Sequence, residues 1–329
     1  MRSSPPRIAV IGVGSFGKNH LRIIHESQAS GLAKLAGIME PDPARAANFA
    51  AKYSCPIFSS IDELATASDA AVIAAPTPNH ADLGCRLMEA GCDVLIEKPI
   101  ADTLAGAEAL IATASRTGRI LQIGHLERFN PAILALGKHV TTPLFFEVHR
   151  LAEFSPRSLD VDVVLDLMVH DIDIILSMTG TMPEEIRAAG IHILSEKVDI
   201  ANVRLQFPGG CVANLTASRV SAERVRKLRL FQPNEYISVD YASKEGSRFF
   251  IGPEGEDGTA TRAIGFEPLL VEDGEPLRLE LEEFFHCIAT REQPRVTGAA
   301  ASAALQVALE ILEKIEEHSE LVKRTLAQG

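Results

Sequence analysis

The stretch "RIAVIGVGSFGKNHLRIIHES" leaves this chain few ways to begin. A short β-branched run leads into Gly12-x-Gly14-x-x-Gly17, with Ser15 and Phe16 inside the turn, and a helical pattern follows through Leu21 and Ile24. Strand, glycine turn and helix in that order make a dinucleotide-binding entry: a tight turn, close backbone approach to a pyrophosphate, and a helix N-terminus facing it. The next apolar run, "LAKLAGIME", ends in Glu40, at the separation where an acidic side chain meets the adenosine ribose. A carboxylate there accepts from both ribose hydroxyls and repels a 2′-phosphate, so the expected cofactor is NAD rather than NADP. Arg45 nearby speaks the other way, and a plain solvated Glu40 is the alternative.

The alternation continues. "AAVIAAP", "DVLIEKP" and "RILQIGH" each follow a helical stretch, which predicts a parallel sheet wrapped by right-handed crossovers. Ligands bind at the carboxyl ends of such strands. Those ends carry Thr77-Pro78-Asn79-His80, Glu97-Lys98-Pro99 and the segment from His125. Asn79 is expected to cap the following helix, with Gly91 ending it. His80 is either a neighbour of the nicotinamide or a structural histidine at a helix start. Lys98 directly follows a buried-looking strand and precedes proline, which biases its backbone towards extended or turn geometry and so holds it in place. A held, partly desolvated ammonium is a good donor to an alcohol or carbonyl oxygen.

A second unusual segment is "VLDLMVHDIDIILSMTG". On a regular helix Asp166, His170, Asp173 and Ser177 fall within roughly 60° of one another. The remaining faces are almost all Val, Leu, Ile and Met, and Gly180 fits the left-handed residue that closes the helix. Buried ionisable groups cost several kcal/mol unless paired or facing a wet cavity, so the stripe must face something.

With 329 residues two domains are expected, divided here as 1–124 and 125–329. A composition of 46% hydrophobic and 23% charged residues is that of an ordinary globular protein. The net charge of −12 argues against general binding to nucleic acid or anionic membranes. No apolar run reaches membrane-span length and the N-terminus does not read as a signal peptide, so the expected location is cytoplasmic. Five cysteines without a C-x-x-C pair read as reduced, packed thiols, and no metal ligand set is expected.

In the second half, "FFEVHRLA", "ANVRLQF", "CVANLTAS", "KLRLFQ" and "YISVDYA" read as strands of a sheet. "LRLELEEFFHCIATREQP" and "SAALQVALEILEKIEEHSELVKR" read as helices, the last packing back on the body. Asn130-Pro131 fits a helix entry just after the last strand of the first domain. Arg128 and Asn130 are therefore substrate-side candidates, with a purely structural cap as the alternative for Asn130.

The glycine turn, Glu97-Lys98-Pro99 and Asp166-x-x-x-His170, in this order and spacing, resemble the Gfo/Idh/MocA oxidoreductase family along the whole chain. The resemblance implies an α/β protein: an N-terminal Rossmann domain, doubly wound around a parallel sheet, and a C-terminal α/β domain on a large, mainly antiparallel sheet used for homodimer or homotetramer contacts. It implies that Lys98, Asp166 and His170 are catalytic and that the polar stripe faces substrate and nicotinamide at the domain junction. "QIGHLERFNPA", "EVHRLAEFSPRSLDVDVVLDLMVHDIDI" and "SRVSAERVRKLRLFQPNEYISVDY" are similar to the branch acting on UDP-N-acetylglucosamine, whose 3-keto product goes to a partner aminotransferase for 3-amino sugars of lipid A. A nucleotide-sugar diphosphate needs local positive charge. The candidates are Arg157 and the cluster Arg219, Arg224, Arg226, Lys227 and Arg229. In the expected reaction a ring hydroxyl is oxidised, with His170 as general base, Lys98 on the reacting oxygen and Asp166 orienting. Whether Lys98 or His170 takes the proton first stays open. Two other readings are an inositol or simple-sugar dehydrogenase and a non-catalytic relative that senses cofactor.

Overall fold

The computed structural model describes residues 4–154, 161–252 and 263–327. It divides into two compact units, one of residues 1–129 and 275–302, the other of residues 130–274 and 303–329. This departs from the single cut expected at 124/125. The chain returns to its first unit after completing most of the second.

The first unit alternates β1 (Arg7–Ile11), α1 (Gly17–Ser27), β2 (Lys34–Met39), α2 (Pro43–Tyr53), α3 (Ile61–Ala67), β3 (Ala70–Ile73), α4 (His80–Glu89), β4 (Asp93–Glu97), α5 (Leu104–Thr117) and β5 (Leu121–Gly124). The strands form a parallel sheet in the order β2-β1-β3-β4-β5. The centre of β1, all of β3 and most of β4 are buried, which is why these strands are runs of Ala, Val and Ile rather than alternating sequences. Asp42, Ser60 and Thr103 cap α2, α3 and α5 through their side chains.

Helix α8 (Pro276–Thr290) completes this core. Leu277, Leu281, Phe284, Phe285 and Ile288 pack with Ile8, Val10, Leu21, Ile24 and Leu95, each such burial stabilising by about 1.5–3 kcal/mol. Arg291, in the left-handed position that ends α8, grips both oxygens of buried Asp93 at 2.6 and 3.0 Å. Arg22 and Arg278 reach Glu275 and Glu26, tying α8 to α1 at the surface.

The second unit comprises α6 (Pro131–Gly137), β6 (Phe145–Glu153), a π-helical turn at Val164–Met168 running into α7 (Val169–Thr179), and β7 (Glu185–Ile191), β8 (Ile200–Gln206), β9 (Val212–Ser221), β10 (Val225–Gln232), β11 (Glu235–Asp240), β12 (Glu245–Ile251) and β13 (Ile264–Pro268). Helix α9 (Gly298–Ala327) starts in the first unit and supplies Ala304, Val307, Ala308, Ile311 and Ile315 to the core of the second. The sheet runs β13-β12-β11-β10-β6-β9-β8-β7 and is antiparallel except where β6 pairs with β9. Phe146, Val148, Leu228, Leu230, Ile237 and Val239 point to the core face with α6, α7 and α9. By the two-residue period of strands, Phe145, Phe231 and Tyr236 lie on the other face. There the rings of Phe145, Phe231, Tyr236, Phe249 and Phe266 form a continuous ladder, with successive centroids 4.7–5.7 Å apart.

Candidate cofactor site and catalytic side chains

The glycine turn begins where β1 ends. Gly12 adopts φ +82°, and a Cβ there would stand 2.7 Å from the carbonyl oxygen of Ala74; one on Gly17 would stand 1.9 Å from that of Gly12. Both positions therefore exclude side chains. Gly14 differs: a Cβ there would meet nothing within 4 Å, so its backbone borders open space of the kind a pyrophosphate needs. Glu40 follows β2 and is 9% exposed. Its carboxylate accepts from Val13 N–H of the turn at 2.9 Å and from Asp42 N–H at 3.0 Å, while Arg45 donates to it at 3.2 Å. Arg45, the cation considered above for a 2′-phosphate, is engaged in ion pairs with Glu40 and Asp42. These features fit NAD.

At the end of β3 a 3₁₀ turn, Thr77–Asn79, precedes α4. That turn changes the expected role of Asn79: at φ −93° and ψ −9° its backbone is already helical, and its side chain makes no capping bond. Gly91 does take the left-handed conformation after α4, at φ +95°. His80 is 1% exposed, with Nδ1 2.9 Å from the Pro99 oxygen and Nε2 2.9 Å from the Ala75 oxygen. It clamps the segments after β3 and β4 together, which is a structural role for this histidine at the start of α4. Lys98 follows β4, is half-buried, and its bond to Pro99 is cis. Glu97, beside it, lies 2.6 Å from Nε2 of His20. Thus the glycine turn, Glu40, Thr77, Glu97 and Lys98 all stand at the carboxyl ends of the parallel strands.

In the second unit Asp166 and His170 are both half-buried, and Asp173 is buried. The uniform 100° spacing behind the sequence stripe holds only from Val169 onward. Asp166 sits in the π turn, which adds about one residue per turn and shifts its direction relative to His170. Such turns recur at functional sites. Asp171 lies off the stripe, where sequence periodicity gave no signal. It forms a buried bidentate pair with Arg150, at 2.7 and 2.8 Å.

Several expected substrate residues do other work. Asn130 is 5% exposed, accepts from Ala132 N–H at 3.1 Å and donates to the Tyr241 oxygen at 3.3 Å; it is a structural cap. Arg219 is 5% exposed and donates to Asp199, Val161 O and Val198 O, so it is not a cation offered to a diphosphate. Its partner Asp199 is fully buried. Burial opposes its charge, but the N–H groups of Leu194 and Ile193, the Ser195 hydroxyl and Arg219 outweigh it and hold the carboxyl far below the usual range. Arg229 pairs with Glu147 and Lys227 lies 3.9 Å from Asp240. Arg224 is exposed in the β9–β10 turn and Arg128 is half-buried in the 3₁₀ turn Leu126–Phe129. Arg157 lies outside the described residues.

A glycine-turn parallel sheet with an acidic residue closing its second strand defines an NAD-binding oxidoreductase unit. Residues 6–125 match the oxidoreductase family with an NAD-binding Rossmann fold, and residues 135–232 match the GFO/IDH/MocA C-terminal domain. The chain belongs to the Gfo/Idh/MocA family, and it is an NAD-dependent oxidoreductase acting on a CH–OH group. It is 35% identical to UDP-N-acetylglucosamine 3-dehydrogenase of Acidithiobacillus ferrooxidans, over 94% of this chain and 97% of that one. A crystal structure of that enzyme superposes with a TM-score of 0.87, covering 95% of this chain and 98% of the other. The scyllo-inositol 2-dehydrogenase (NAD(+)) of Bacillus subtilis is 25% identical, with 92% of each chain covered.

Proposed function

We propose that this chain oxidises the C3 hydroxyl of UDP-N-acetylglucosamine to the 3-keto sugar nucleotide, for use by a partner aminotransferase in 3-amino-sugar synthesis for lipid A. The observation that carries this reading is the 35% identity, over nearly its whole length, to an enzyme with that activity. NAD, when bound, supplies the hydride acceptor. Lys98 donates a hydrogen bond to the reacting oxygen and stabilises its developing negative charge. His170, whose side-chain type titrates near neutrality, receives the hydroxyl proton. Asp166 orients the imidazole or a neighbouring hydroxyl. Arg224 and Arg128 are the described candidates for the diphosphate, alongside Arg157.

The inositol dehydrogenase relative supports a second reading, oxidation of a simple polyol with the same side chains. The two separate in one assay. Purified protein with NAD and UDP-N-acetylglucosamine, plus a carbonyl trap or the aminotransferase, should generate reduced nicotinamide absorbance. Free N-acetylglucosamine and myo-inositol should not, and His170→Ala should lower the rate by about a hundredfold or more. Turnover of myo-inositol alone would replace the nucleotide sugar with a polyol.

A further inference from the structure

Among the described residues, His20, Glu97 and Glu280 form a group whose donor atoms lie within 4.8 Å of one another. They come from α1, the end of β4 and α8 of the first unit. His20 is fully buried, and Phe16 stands edge-on to it at 5.4 Å. The Glu97 carboxylate occupies room left by Gly124, where a Cβ would be 3.1 Å from its Cδ. Gln122 holds α8 in place by donating to the backbone oxygen of Glu280 at 3.0 Å. Glu280 itself is fully buried, and neither carboxyl oxygen has a hydrogen-bond partner.

Two carboxylates within 4.8 Å oppose each other's ionisation, and an unpaired buried carboxylate costs several kcal/mol. A proton on Glu280 eases both difficulties: it removes the buried charge and puts an O–H donor on the side chain that neighbours Glu97. A shared metal fits less well. Ligands on one zinc ion stand about 3 Å or more apart, whereas His20 and Glu97 meet at 2.6 Å, the length of a charge-assisted hydrogen bond.

We propose that Glu280 and Glu97 share one proton, and that Glu280 is thereby a positioning residue fixing the strand end that carries Lys98. The positioning role rests on the assignment of Lys98 made above. Burial first, then the charges of Glu97 and Glu283, push the Glu280 carboxyl well above the usual range. The titratable groups facing it are His20 from α1, Glu97 from β4 and Glu283 on its own helix.

Infrared spectra of the intact protein with NAD test the shared proton without substrate. Wild type at neutral pH should show a protonated-carboxyl stretch that shifts in D2O and is missing from Glu280→Gln. Because the folded carboxyl keeps its proton where the unfolded one loses it, wild type should lose thermal stability relative to Glu280→Gln as pH rises above the ordinary carboxylate range. In the assay, Glu280→Gln, which still donates, should keep kcat within about threefold, while Glu280→Leu should lose roughly ten- to a hundredfold with KM nearly unchanged. Absence of the band, equal pH slopes, wild-type kcat in Glu280→Leu, or stoichiometric zinc whose removal destabilises only wild type would overturn the proposal. Full activity in Lys98→Ala with the band intact would overturn the positioning role through Lys98 and leave the shared proton standing.

Discussion

A methyl group on Gly14 meets no protein atom within 4 Å, whereas one on Gly17 falls against the Gly12 carbonyl oxygen. Gly14→Ala should therefore leave thermal stability unchanged while weakening NAD binding by about tenfold, equivalent to about 1.4 kcal/mol. Gly17→Ala should lower both, with a stability loss of about 1–3 kcal/mol from overpacking. Calorimetric titration with NAD and thermal melts of the two variants check the contrast. Arg150 and Asp171 give a different kind of prediction, because both are buried and bound to each other. Arg150→Ala removes the bidentate partner of a buried carboxylate and should cost about 3–5 kcal/mol in chemical denaturation; replacing both by apolar residues should cost much less. Such pairs explain why part of the site was illegible at this scale. Sequence shows that Arg219 and Asn130 are polar, but only the fold shows that Arg219 is spent on Asp199 and Asn130 on Ala132 and Tyr241.

Among the elements, strands with one buried face were readable from alternation alone. β6, β8, β9, β10 and β11 all fall where the pattern places them. β7, β12 and β13 were not anticipated, and the structure gives the reason. β7 and β13 are the two edges of the sheet and β12 adjoins one of them; no residue of β12 or β13 is buried, so neither has a core face that demands a row of apolar residues. The π turn before α7 was equally invisible, since apolar periodicity assumes a regular helix. The connection from β7 to β8 is organised by Asp199, which accepts from three successive N–H groups, of Ile193, Leu194 and Ser195. Its depressed folded-state pKa means that its stabilisation is complete above the ordinary carboxylate value and disappears as pH falls below it. Asp199→Asn should be less stable than wild type at neutral pH, with the gap closing below about pH 4. Melting temperatures from neutral to acidic pH would show that convergence.

For the molecule as a whole, the aromatic ladder lies on the sheet face turned away from the helices, with Phe231 37% and Phe266 60% exposed beside Ile264 at 78%. Monomers rarely leave so continuous an apolar surface open. We propose that this face packs against a second copy of the chain, in a homodimer or homotetramer. Phe266→Glu should then reduce the mass measured by light scattering without lowering the stability of the second unit's core, to which Phe266 does not belong. The first unit's return through α8 carries a separate consequence, for synthesis of the chain. When Phe129 leaves the ribosome, five strands are available but Leu281, Phe284 and Ile288 do not yet exist. Their partners Ile8, Leu21 and Ile24 wait on the order of ten seconds, at ordinary elongation rates, for the intervening residues to be made. During that wait the apolar side chains that α8 covers in the folded protein have no α8 to cover them.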